Sequence, residues 1–157
     1  MLESQRRKLK EREWRQNNPI VYFKSYGTCQ FDSMTSAVPL RIQVSQGLMC
    51  FYHKLIPRSW CIQLPGYRAH ISAIRRSGMP KIEPLEWDRY CRQYSNIKIP
   101  FYYCNEITGN DNHLWINCYS HTLERILEDI GVEMRNKYHN EAGDFRRKFH
   151  VTVGLIQ

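Results

Sequence analysis

Two of the six histidines in this chain stand in the same short frame. His70-Ile71-Ser72-Ala73 and His150-Val151-Thr152-Val153 each read histidine, apolar residue, hydroxyl residue, apolar residue, whereas His53, His113, His121 and His139 lack that frame. In an extended chain, residues i and i+2 point to the same face. His70 therefore shares a face with Ser72, and His150 with Thr152, while Ile71 and Val151 point the other way, into a core. Two such strands side by side present two imidazoles and two hydroxyls to one cleft. That set suits a phosphodiester. A neutral imidazole takes a proton from an attacking hydroxyl, an imidazolium returns one to the leaving oxygen, and the hydroxyls hold the non-bridging oxygens. The chemistry asks for no metal and no other cofactor, and no Cys/His cluster has zinc spacing.

The elements that must position these residues are legible from alternation and punctuation. Residues 20–27 and 40–44 read as strands, and 48–56 as a short helix ended by Pro57. Residues 60–64 read as a strand stopped by Pro65-Gly66, and the first motif, 70–74, as another. Helix is expected over 86–94 and strand over 97–104. Residues 107–112 form a turn, and 113–118 the returning arm of a hairpin. Ser120 is an N-cap candidate, and Leu123, Ile126, Leu127 and Ile130 follow at the spacing of one buried helical face, with Gly131 as its stop. Residues 142–144 read as a loop, and 149–153 as the final strand. The class expected is α+β.

The 157 residues suit one domain, 19–157, preceded by a basic arm over 1–18 that carries Arg6, Arg7, Lys8, Lys10, Arg12 and Arg15. The net charge of +8, from 23 Lys and Arg against 15 Asp and Glu, favours a polyanionic partner. The chain has no apolar run of bilayer length and no secretory signal, so the expected location is the cytoplasm and no membrane partner is expected. Six cysteines without a C-x-x-C pair are expected as reduced thiols, mostly in the core.

On its two motifs the chain resembles the 2H phosphoesterase superfamily, the LigT-like proteins. The likeness is closest where Leu114-Trp115-Ile116 precedes Ser120, the amphipathic stretch and Phe149-His150-Val151-Thr152-Val153-Gly154. The first motif, Arg68-Ala69-His70-Ile71-Ser72-Ala73-Ile74, has serine where threonine is commoner. The resemblance implies a bilobal fold of two mainly antiparallel sheets flanking a central cleft, with helices outside. It implies His70 and His150 as the catalytic acid/base pair, and Ser72 and Thr152 as phosphate ligands. The chain stops seven residues after His150, so residues 20–26 are expected to complete the second lobe's sheet.

The same resemblance implies a cyclic oligonucleotide or a short RNA as substrate. Degradation of cyclic oligonucleotide immune messengers, as by compact phage and viral members of the superfamily, is the first expectation. The alternatives are cleavage of 2′,3′-cyclic phosphate or 2′–5′ RNA linkages, and a non-catalytic RNA-binding module. Base-stacking candidates are Tyr103, which is expected to face the cleft while Tyr102 faces away, and then Tyr26 and Trp60. Arg68, Arg75 and Arg76 flank the first motif as candidate phosphate contacts.

Overall fold

The alternation read in the sequence becomes a ring of strands. The computed structural model describes residues 5, 6, 9, 20–133, 137–139 and 145–156, the pieces 137–139 and 145–147 by backbone alone. Eight strands follow in chain order: β1 (Tyr22–Phe31), β2 (Leu40–Gln43), β3 (His70–Ile74), β4 (Lys98–Gly109), β5 (His113–Tyr119), β6 (Lys137–His139), β7 (Phe145–Arg147) and β8 (Phe149–Leu155). Among the described residues from 20 onward, three helices, α1 (Gln46–Leu55), α2 (Pro84–Tyr94) and α3 (His121–Ile130), stand outside the ring. Strands β1-β2-β3-β8-β5-β4 close on themselves as an antiparallel barrel, and β6 and β7 pair separately.

This closure corrects the two-lobed expectation. β1 is ten residues long and belongs to both sides. Its first part, Tyr22 to Thr28, pairs with β4, and its last part, Thr28 to Phe31, pairs with β2. The segment expected to complete one lobe's sheet thus joins two strands into a ring. The two motif strands leave no interlobe cleft, because β3 lies directly beside β8 with Ile71 opposite Val151. The molecule is a single closed six-stranded barrel, not the bilobal two-sheet fold of the 2H phosphoesterases.

One face of this sheet is apolar throughout. Cys29, Ile42, Ile71, Ile99, Phe101, Ile116, Cys118, Val151 and Val153 are all buried. Gly27 permits a close approach there: a β-carbon on it would lie 2.8 Å from the Gln43 carbonyl and against Ile42. Helix α1 lies against β8, and the His53 Nδ1–H donates to the Val153 carbonyl at 2.8 Å. Helix α3 follows its expectation closely. Ser120 accepts from the Leu123 amide at 3.1 Å and donates to the Pro100 carbonyl at 2.6 Å, and Gly131 ends the helix at φ 93°. Leu123, Ile126, Leu127 and Ile130 are its buried face.

Three local expectations are corrected. Residues 60–64 do not form a strand: Arg58–Trp60 is a single 3-10 turn, Cys61 is left-handed at φ 53°, and only Gln63 bridges, to Leu155. β1 runs on to Phe31, past the end of the strand expected over 20–27. The hairpin turn is shorter than residues 107–112, because β4 continues to Gly109. The cysteines are all free, with three buried, two half-buried and one exposed. The basic arm lies outside the described residues apart from residues 5, 6 and 9, as does the loop expected at 142–144. No helix among the described residues is long and apolar enough to cross a membrane.

Candidate functional site

Strand register gathers the motif residues into two parallel rows across the polar face of the sheet. Arg41 pairs with Ser72 and Gln43 with His70, while Asn117 pairs with His150 and Trp115 with Thr152. The antiparallel register at Ile71 and Val151 places Ser72 beside His150, and His70 beside Thr152. One row therefore reads Arg41, Ser72, His150, Asn117, and the next reads Gln43, His70, Thr152, Trp115. Each histidine is flanked by the other motif's hydroxyl. The two imidazoles stand at diagonal positions, whose backbones are about 7–8 Å apart.

Arg41, Ser72 and His150 of the first row and His70, Thr152 and Trp115 of the second line a concavity of about 510 Å³, together with Val38, Tyr67, Arg75, Asn110 and His113. An aromatic ring leans on each histidine: Tyr67 lies 5.3 Å from His70 and Trp115 lies 5.4 Å from His150. The Trp115 indole donates to Asn117 Oδ1 at 3.1 Å, which fixes the ring over the row. The Arg68 carbonyl accepts from His70 Nδ1–H at 2.8 Å, which fixes the ring's orientation and turns Nε2 away from that bond. Backbone bonds between Val44 and Ala69, and from the Ala69 amide to Gln46 Oε1, hold the entry to β3.

The site is electropositive. Burial, and then Arg75, His113, His70 and Lys148, push the His150 imidazole down to about 4. A histidine so placed is neutral at pH 7, because its neighbours already supply positive charge. No Asp or Glu is among the residues that line this concavity. Asp32 approaches Arg41 at 3.6 Å from outside it.

Of the residues singled out in the sequence, His70, Ser72, His150, Thr152 and Arg75 meet here. Tyr103 does not. Its partner across the hairpin is Cys118, on the buried face, and it lines a separate apolar pocket with Phe23, Leu48, Phe51 and Tyr52. Tyr26 is 47% exposed on β1, between the ammonium groups of Lys24 and Lys98. Trp60 is 60% exposed in its 3-10 turn. Arg68 serves through its carbonyl, and Arg76 lies in the 3-10 turn after β3. Arg41, Tyr67, His113 and Trp115 were not foreseen. The alternations Leu40-Arg41-Ile42-Gln43 and Leu114-Trp115-Ile116-Asn117 carry the signal for two of them, since each puts its polar or aromatic residue on the face opposite an aliphatic one.

No family model matches the chain, and neither a curated protein nor a solved structure matches it. The closed barrel corrects the resemblance to the LigT-like proteins, and the two-histidine phosphodiesterase falls with it, including the degradation of cyclic immune messengers expected of phage and viral members. The geometry gives the reason. The resemblance implied two lobes facing each other across a cleft, and here both motifs lie on adjacent strands of one closed ring. Among the described residues, no hydrogen bond orients the His150 ring as a general acid or base requires. Nor do the described residues include a group of three or more His, Cys, Asp or Glu placed to hold a metal ion.

Proposed function

We propose that this barrel is a binding module that holds an oligonucleotide phosphodiester, of the short RNA class, without cutting it. The observation that carries this reading is the concentration of Arg41, Arg75, His70, His113 and His150 around one concavity with no carboxylate in its lining. Arginine forks and hydroxyls are the donors that a phosphodiester's two non-bridging oxygens need. Ser72 and Thr152 supply the hydroxyls between the histidines. Tyr67 and Trp115 offer ring faces to the attached bases, which stack on aromatic rings whatever their identity. The neutral state of His150 fits this role: it takes a proton when an anion arrives and needs none in the empty site.

The test is fluorescence anisotropy of a labelled single-stranded oligoribonucleotide at low ionic strength. The paired variant Arg41→Ala/Arg75→Ala should lose at least about tenfold in affinity, and its salt slope should flatten by about one unit per phosphate contact removed. Chromatography of the ligand recovered from wild type should return it intact. Equal binding by wild type and the paired variant, no binding at all, or a shortened ligand would each overturn the reading.

A further inference from the structure

Beside the first concavity lies a second, of about 590 Å³, which the motif residues alone do not announce. The two share three residues: Ser72, Arg75 and His150 line both. We infer that the shared wall seats the bridging phosphate of a dinucleotide unit, with one nucleoside in each compartment, so that the smallest full ligand is a dinucleoside phosphodiester. The inference rests on the binding reading above and extends it to ligand length.

The chemistry of the parts divides accordingly. The wall presents a hydroxyl, a guanidinium and an imidazole, all of them groups that donate to phosphate oxygens once the imidazole carries its proton. The first compartment has the Tyr67 and Trp115 rings beyond that wall. The second has the half-buried apolar surfaces of Met79 and Pro80. Its lining also carries Lys148 and Glu133, a carboxylate. Both volumes fall within the range of about 300–1,000 Å³ usual for small-molecule sites.

Two probes separate length from charge. Adenosine 3′-monophosphate carries more negative charge than adenylyl-(3′→5′)-adenosine but one nucleoside fewer. A site governed by charge alone holds the monophosphate more tightly. Two filled compartments hold the dinucleoside more tightly, by about tenfold or more if the second base gains ordinary stacking. Gly78 offers the blocking variant: a β-carbon there meets no atom within 4 Å, and among the described glycines only Gly131 has positive φ, so Gly78→Phe can fill the second compartment without backbone strain. In Gly78→Phe the affinity ratio of the two ligands should fall to about one. Amide chemical shifts of the wild type give a measurement independent of that variant's folding. The dinucleoside should move Gly78 and Gly131, and the monophosphate should not.

A dinucleoside no tighter than the monophosphate, or one that leaves Gly78 and Gly131 unmoved, overturns the two-compartment inference alone. Failure of both ligands to bind overturns the binding reading with it.

Discussion

At His150 the environment decides the charge. The imidazole is half-buried on β8, and its burial first, then the Arg75, His113, His70 and Lys148 side chains, lower its pKa to about 4 against an ordinary 6.5. Between those two values the unfolded chain binds a proton that the folded chain refuses. Stability therefore rises with pH through that window, and it is lost as pH falls from 6.5 through 4. The full shift corresponds to about 3 kcal/mol at most, and partial solvent contact makes the measured loss smaller. Urea unfolding at pH 7 and pH 4.5 should show a smaller difference for His150→Gln than for wild type; equal differences would remove His150 from the acid sensitivity. The same balance reverses on binding. Inorganic phosphate should raise the His150 pKa, read from its ring protons by NMR, because an anion offsets the cations that depress it. A ring that titrates identically with and without phosphate counts against an anion site at this place. The sequence disclosed the motif residues through the two-residue period of a strand. It did not disclose how the partners that set their charge reach them: Arg75 and His113 come to His150 from the residue after β3 and from β5, and such proximity is written only in the pairing.

The elements follow local rules closely, and their failures are instructive. Ser120→Ala should cost about 1–2 kcal/mol, since it removes the cap of α3 and leaves the Pro100 carbonyl without its buried donor. Chemical denaturation would measure that cost, and a loss near zero would deny the cap its role. Gly27→Ala should destabilise the barrel by about 1–3 kcal/mol, because the added carbon enters the space of Ile42 and the Gln43 backbone where β1 crosses onto β2. Helix α3 was readable because its cap, its apolar face and its terminating glycine lie within twelve residues of one another. Residues 60–64 misled because β-branched and aromatic residues between prolines look like a strand, while the left-handed turn at Cys61 depends on how the segment crosses β8 at Leu155. Tyr103 was assigned to the wrong face because that assignment followed the family likeness and not the hairpin register, which sets it opposite buried Cys118.

For the whole molecule, the difference between two sheets and one ring turns on β1. Its alternation marks a strand, but nothing local says that it pairs on both sides. Ring closure joins residues 22–28 to 98–104, and 71 to 151, separations over which propensity carries no information. A ligand that binds only the closed ring stabilises it by mass action. An oligonucleotide at one hundred times its dissociation constant should add about 2.7 kcal/mol, seen as a rise in melting temperature. That rise should vanish in Arg41→Ala/Arg75→Ala. A melting temperature unmoved by ligand at that excess would mean that the unfolded chain binds equally well, as a merely basic polymer does.

The place of β8 between β3 and β5 has a consequence for assembly in time. Both neighbours precede it in the chain, so a polypeptide growing from its N-terminus makes them first and leaves a slot between them. Until residues 149–155 emerge, β3 and β5 each keep an unpaired edge, and the nascent molecule resembles an open sheet with two adhesive margins. The strand that fills the slot also delivers His150 and Thr152. Competence to bind and protection from mispairing therefore arrive in one event, with the same seven residues.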